Sequence, residues 1–505
     1  MNEYDLLYAI GEAEEEQVRR AGAAKRPYRR WAGLAACLAL LLVGGALLLP
    51  ALGGAGAGHD GGGSSGGERE PGSTPTYMNY EGPVLPLTGL GDAADITAAR
   101  DVTLDFSPYL TARSEKTLTG CDVRDSYTLV NSGAEERKLT LLYPFTGAMH
   151  ERERWASVTV DGAAVETTLY PGAYAGGFVG VFGGDEEELM NGSANLRPPQ
   201  AFADIEALLA DGSYQSAALE PLPELTETVT VYRLSDYICP ENAGENPTIQ
   251  MRFTMDYDKT TVLTYGMNGG LFDRETGLRG CSTSIQSHPN ASPGNREPKD
   301  AYVILLGDDI GDYTIQGYRD GGCDDGDEVA GIDCTVQRYE TELGTLLRQL
   351  LRESYGAGSD EDSELFLGLV AQLLRTVGSL SGDSRDRYSE GSLGFIFSEA
   401  RNYPRVLYLA FDVTVPAGGS VTVTAELTKR GSIDYMEYTD REGFDLAATL
   451  GSNLRFTEQR AHIVHTEGVT LRDDTFGFDV ENGVTEVMLA QGQAHFWLEI
   501  SENEA

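Results

Sequence analysis

Residues 31–52, WAGLAACLALLLVGGALLLPAL, carry no charged side chain and directly follow the basic run Lys25-Arg26-Pro27-Tyr28-Arg29-Arg30. An apolar stretch of about 20 residues is long enough to cross the hydrocarbon core of a bilayer as a helix. Lys and Arg on one flank are retained on the cytoplasmic side. The expectation is one transmembrane helix over 31–52, with residues 1–30 in the cytoplasm and everything beyond Leu52 outside. Two rival readings fit less well. Ala55-Gly56-Ala57 has the small-x-small form of a signal cleavage site. The apolar run, however, exceeds the roughly 7–15 residues of a signal core, and a long segment precedes it. Leu34-Ala35-Ala36-Cys37 has lipobox form, yet the long apolar stretch follows Cys37 instead of leading to it.

Charge separates the two sides of that span. Residues 1–30 hold six acids (Glu3, Asp5, Glu12, Glu14, Glu15, Glu16) and six bases (Arg19, Arg20, Lys25, Arg26, Arg29, Arg30), acidic first and basic last. They cancel, so the whole net charge of −41 lies beyond Leu52. Phosphates demand Lys and Arg, so this excess argues against a nucleic-acid partner. It favours solubility and cationic partners. With 41% hydrophobic residues the chain is no disordered polyanion. Five cysteines follow the span: Cys121, Cys239, Cys281, Cys323 and Cys334. Cys323 and Cys334 are nearest in sequence, and an oxidising exterior would permit a bond between them. No CxxC occurs, so a zinc knuckle or a thioredoxin-like centre has no support.

Residues 53–77 are Gly- and Ser-rich, a flexible linker. Beyond it the sequence reads mainly β. Val102, Leu104 and Phe106 alternate. Residues 125–130 and 138–143, on either side of the polar NSGAEER, suggest a strand pair. Ser157 to Val160, Asp161-Gly162 and Ala163 to Leu169 form a hairpin signal, because Asp-Gly supplies the positive φ angles of a type I′ turn. Ile249 to Tyr257 hold period two, Tyr302 to Leu306 and Tyr313 to Tyr318 read as strands, and Asn482-Gly483 marks a further turn. Val406 to Val415, Pro416-Ala417-Gly418-Gly419 and Val421 to Leu427 read as one more hairpin. Helical spacing appears over 199–210 (Phe202, Ile205, Leu209) and in an insert after Cys334, at Leu343 to Leu351 and Phe366 to Val377. The expected class is mainly β with helical insertions: antiparallel β-sandwich-like exterior domains behind one transmembrane helix. The expected divisions are 78–235 and 236–501, the second carrying a helical hairpin insert at 335–381.

Catalytic signatures are few. G-x-S-x-G is matched only within the linker, around Ser64 and Ser65, with no strand before it or helix after it. Gly89 to Ala94 fits G-x-G-x-x-A without a βαβ unit. His462 and His465 lie three apart in a strand-like stretch, which puts them on opposite faces. Two loops hold candidate ligands. Asp320, Asp324, Asp325, Asp327 and Glu328 offer hard oxygens on a tight turn, suited to Ca2+, though not at EF-hand spacing. Tyr170, Tyr174 and Phe178, among glycines and alanines, could stack on a sugar or peptide if exposed.

The opening Leu6-Leu7-Tyr8-Ala9-Ile10-Gly11-Glu12 with Trp31-Ala32-Gly33-Leu34-Ala35-Ala36-Cys37-Leu38 resembles the N-termini of uncharacterised single-pass membrane proteins of Gram-positive anaerobes. Asp125 to Leu129 with Leu141 to Phe145, Gly317 to Gly322 and Leu450 to Leu454 resemble the exteriors of the same group. The N-terminal segment is also similar to that of membrane anti-sigma factors, which hold a cytoplasmic sigma factor. The resemblance implies a cell-membrane location and no particular activity. The expected function is a non-catalytic binding or sensing module for a protein or cell-wall ligand outside. The alternatives are a transmembrane regulator whose residues 1–30 grip a cytoplasmic protein, and a cell-envelope hydrolase.

Overall fold

The computed structural model describes residues 79–93, 95–111, 120–178, 196–244, 246–285, 300–381, 392–434 and 438–503. The expected cytoplasmic segment, membrane span and linker lie outside them. Among the described residues no helix is long and apolar enough to cross a membrane.

The first third contributes β1 (Thr88–Leu90), β2 (Ile96–Asp105), α1 (Ser107–Thr111), β3 (Gly120–Asn131), β4 (Arg137–Gly147), β5 (Ser157–Val160), β6 (Ala163–Ala164), β7 (Thr168–Tyr174), β8 (Gly177–Phe178) and β9 (Leu196–Arg197). Helices α2 (Phe202–Leu209) and α3 (Ser213–Ala218) follow. The middle holds β10 (Thr228–Ile238), β11 (Thr248–Thr254), β12 (Thr260–Tyr265), β13 (Gly269–Asp273), β14 (Leu278–Ser284), β15 (Ala301–Gly307), β16 (Tyr313–Tyr318) and β17 (Asp333–Glu342). Then come α4 (Leu343–Tyr355), α5 (Glu364–Thr376) and α6 (Leu393–Asn402). The last part supplies β18 (Arg405–Val415), β19 (Ser420–Arg430), β20 (Ser432–Asp434), β21 (Tyr438–Ala447), β22 (Arg455–Val464), β23 (Val469–Asp474), β24 (Glu486–Met488) and β25 (His495–Glu502).

The fold is mainly β with few helices, as its alternating strands lead one to expect. A seven-stranded sheet, ordered β24-β22-β2-β3-β19-β5-β6, shares a core with the four-stranded sheet β1-β4-β18-β7. The first is apolar on one face only. On β2 the inward set is Ile96, Ala98, Arg100, Val102 and Leu104, all buried, while the alternate positions are partly exposed. The second is covered on both faces. Leu141, Tyr143, Leu407 and Leu409 enter the shared core, whereas Leu142, Val406, Tyr408 and Ala410 pack with Phe202, Ile205 and Leu209 of α2. Sheet β12-β15-β10-β17 is likewise covered twice, meeting α4, α5 and α6 on one side and sheet β13-β14-β11-β16 on the other. Sheet β20-β21-β25-β23 adds Phe444, Leu446, Phe496 and Leu498 to the main core. The named strand pairings are antiparallel except β2 with β22.

Two expected hairpins are not hairpins. β3 and β4 lie in different sheets, and so do β18 and β19. Each connection carries the chain from one layer to the other. The two crossings stack, because β3 pairs with β19 and β4 with β18 along their full lengths. Asn131 joins the crossings: its Nδ2 donates to the carbonyls of Glu135 (2.8 Å), Val415 (3.2 Å) and Pro416 (3.2 Å), and its Oδ1 accepts from Gly133 N (2.8 Å). The Asp161-Gly162 hairpin does form. Both residues have positive φ (48° and 79°), and Val160 faces Ala163. Asn482-Gly483 also sits in a turn, closed by reciprocal bonds between Asp479 and Val484.

These pairings cross the expected boundary after residue 235. Strands from 405–430 complete both sheets begun by 88–174, and one buried cluster runs from Val84 to Ile500. The helical insert starts later than expected, since residues 335–342 belong to β17.

Candidate functional site

The acidic loop does not assemble a cation site. Asp320 Oδ1 accepts from Gly322 N (2.9 Å) and Glu328 Oε2 from Gly326 N (2.9 Å), so both carboxylates brace their own turn. Asp324, Asp325 and Asp327 complete the loop, and among the described residues no three acidic, His or Cys side chains converge on one point. In the preceding loop Asp309 is committed to Tyr232 Oη (2.9 Å) and the Arg338 guanidinium (2.7 Å). Cys323 and Cys334 are free thiols. The two histidines serve separate aspartates: His462 Nε2 lies 3.1 Å from Asp101 and His465 Nδ1 2.8 Å from Asp105.

The tyrosine segment is part of the packing. A bulge opposite Arg405 to Leu407 shifts the register of β7 on β18. Tyr170 therefore packs with the α2 side and Tyr174 with the main core. The Tyr174 ring meets Tyr403 at 5.5 Å. Beside it the buried Arg405 guanidinium donates to the carbonyls of Ala400 (3.2 Å) and Gly172 (3.4 Å), and burial pulls its pKa down to about 10. The Phe178 side chain lies outside the described residues. An open aromatic platform is thus not what Tyr170 and Tyr174 present.

The site that sequence reading missed lies at the end of β19. Val421, Val423, Ala425 and Leu427 alternate inward, and the next inward position is Lys429. Its buried ammonium donates to the Glu81 carbonyl and to Thr146 Oγ1 (2.5 Å). Thr146 Oγ1 in turn donates to the same Glu81 carbonyl (2.6 Å). Around them Glu81, Glu151, Arg154, Trp155 and Arg430 line a recess of about 20 Å³. Arg430 Nη2 pairs with Glu151 Oε1 at 2.7 Å. Burial lowers the Lys429 pKa to about 8. Burial, with Glu151 nearby, pushes the Glu81 carboxyl up. Clustered carboxylates and a near-neutral amine suit proton exchange. The volume, however, admits about one water molecule and no glycan or peptide.

The recess lies beside the place where the first described residues are fastened to the C-terminal third. Asn79 and Ile433 exchange backbone bonds (3.1 and 2.9 Å), and Tyr80 Oη donates to Asp445 (2.7 Å). Glu81 N donates to Ser432 Oγ (3.0 Å), and Val84 pairs with the strand at Asp445 to Ala447. Asp445 also meets His495 Nε2 at 3.0 Å, whose ring stacks on Phe202 at 3.9 Å. One element away, Tyr109 Oη donates to Glu442 (2.6 Å), whose pKa burial raises to about 7. The sequence signal for Lys429 was its place in the period-two pattern. The same pattern places Arg100 and Asp125 inward, and they form a fully buried pair at 2.8 Å.

Compared with models of known protein families the chain matches none, and no curated protein matches it.

Proposed function

We propose that this chain is a cell-membrane protein, anchored by residues 31–52, that carries a β-rich body outside the cell and acts there by binding or sensing without catalysis. The observation that carries the reading is the charge-free run 31–52 behind its basic flank. The fastening of residues 79–84 by the C-terminal third supports it. A tether entering at Asn79 would be held by bonds spread over Ile433, Asp445, Ser432 and Lys429, so pull on the linker would be shared. In the recess Lys429 and Thr146 are engaged by the Glu81 carbonyl, and a volume of about 20 Å³ leaves no room for a glycan or peptide substrate there. The surface for a ligand is the outer face of the seven-stranded sheet, where Asp122, Arg124 and Glu426 are exposed and Ser126 meets Thr424 (3.1 Å). A protein or cell-wall ligand there would need cationic groups to match the acidic surface. Among the described residues no three acidic, His or Cys side chains converge to hold Ca2+.

The full-length chain in lipid vesicles, offered cell-envelope glycans, peptides and esters, tests this. Saturable, salt-sensitive binding with no product is expected. Turnover of any of them overturns the non-catalytic reading. A second reading, a regulator gripping a cytoplasmic protein through residues 1–30, rests on the acidic-then-basic order of that segment. Capture of a cytoplasmic protein by the wild-type chain, lost when 1–30 is scrambled, would favour it.

A further inference from the structure

Cys239, Cys323 and Cys334 are free thiols, and it is Cys239, not the sequence neighbour Cys323, that packs with Cys334 on one buried cluster. On β10 and β17 Ser235 faces Thr335 and Ile238 faces Asp333, so a bulge sets Asp236 and Tyr237 against the single residue Cys334. Asp236 takes the left-handed conformation this needs (φ 51°). Side chains two apart on a strand share a face. Cys239, Tyr237 and Cys334 accordingly all pack on one small cluster around Ala243, Ile249, Ile285 and Ile332. Cys239 and Cys334 are thus diagonal neighbours across the last rung of an antiparallel pair. Diagonal Cα atoms in such pairs lie about 7–8 Å apart, with Cβ atoms closer. A disulfide spans about 4.4–6.8 Å between Cα atoms. Closure of roughly 1 Å suffices, and Cys239 stands just past the end of β10, beside the Pro240 to Ala243 turn.

We propose that Cys239 and Cys334 are a covalent cross-link site, closed by a small-molecule disulfide oxidant. The Cys239 thiolate attacks one sulfur of the oxidant, giving a mixed disulfide and releasing one thiolate. The Cys334 thiolate then attacks Cys239 Sγ, forming the protein disulfide and expelling the second thiolate. The two protein thiols lose two protons and two electrons, and one oxidant disulfide becomes two thiols. Cys239 attacks first because burial raises its pKa less than that of Cys334, which burial and Asp333 push up to about 12. The link would pin the β10–β17 bulge and tie the edge strand β17 to the interior strand β10. The pairing follows from strand register and does not depend on where the chain sits in the cell.

The full-length chain, purified in detergent and fully reduced, is incubated with oxidised glutathione at pH 8 and mapped without reduction by mass spectrometry. Trypsin alone leaves Cys323 and Cys334 on one peptide, so an aspartate-directed protease is added. A peptide joining Cys239 to Cys334 is expected, with free thiols falling from six to four. Cys239→Ser should give no linked peptide and leave Cys334 singly glutathionylated or free. Cys239 and Cys334 each ending as stable mixed disulfides, or Cys334 joined to Cys323, would overturn the assignment. The wild-type map decides the matter even if the variant folds poorly.

Discussion

At the residue scale the most consequential side chains are charges that the strand pattern turns inward. Arg100 and Asp125 are fully buried. Arg100 Nε and Nη2 donate to the two carboxylate oxygens at 2.9 and 2.8 Å, Nη1 donates to the Ala447 carbonyl (2.7 Å), and Tyr127 Oη donates to Asp125 (2.6 Å). Burial opposes the guanidinium charge, and Asp125 more than restores it. Removing one member strands the other in the core. Asp125→Ala should therefore cost about 3–5 kcal/mol in urea unfolding. Arg124→Ala, which breaks the exposed contact to Glu426 at 4.0 Å, should cost under about 1 kcal/mol. Equal effects would refute the assignment of Arg100 and Asp125 to the interior. Glu442 gives a pH signature. Its folded pKa, about 7, lies above the ordinary 4.5, so its contribution is fully present below pH 4.5 and is lost as pH rises through 7. Wild type should lose up to about 3 kcal/mol more than Glu442→Gln between those limits. Parallel stability curves for the two proteins would contradict it. Other sequence motifs take up packing roles on the same scale. Asp125, Tyr127 and Tyr143 belong to this buried network, while Ser452 Oγ donates to the Leu87 carbonyl (2.6 Å) and Asn453 Nδ2 to those of Gly89 (3.0 Å) and Gly91 (2.8 Å).

At the element scale, period two located the strands but not their partners. Polar turns between strands were read as hairpins, and two of them cross between layers. A signal for this was present in the chain. β3 and β19 alternate, as strands with one wet face do, whereas β4 (RKLTLLYPFTG) and β18 (RVLYLAFDVTV) contain unbroken apolar runs. Consecutive strands with unlike patterns do not share a sheet whose outer face is in water. Asp161-Gly162 was legible because a two-residue turn fixes its own geometry locally. The surroundings of Cys334 and of Tyr170 and Tyr174 were not legible for the opposite reason: their neighbours come from β10 and β18, far away in sequence. Asn131 is the test at this scale. Asn131→Ala removes its side-chain bonds to three carbonyls and one N–H of the paired crossings, of which the Pro416 carbonyl keeps the Gly419 N–H (3.0 Å), and should cost about 2–4 kcal/mol by urea unfolding. A loss below about 0.5 kcal/mol would show that the crossings hold without it.

At the scale of the whole molecule, strands from both ends of the described residues complete common sheets around one buried cluster. Residues 88–174 have no complete sheet until 405–430 arrives. Unfolding by fluorescence and circular dichroism should therefore coincide in one transition, and two separated transitions dividing near residue 235 would contradict the shared core. Strand periodicity foretold a β-rich body and composition an acidic one. It could not foretell that the body is closed by its C-terminal third, because that closure is a matter of long-range pairing. The central claim is that this body stands outside the membrane, held by residues 31–52. Protease shaving of intact cells, followed by detection of a C-terminal epitope, tests it most directly. The account predicts that the epitope is lost while a cytoplasmic marker survives. An epitope that stays protected until the cells are lysed would contradict it.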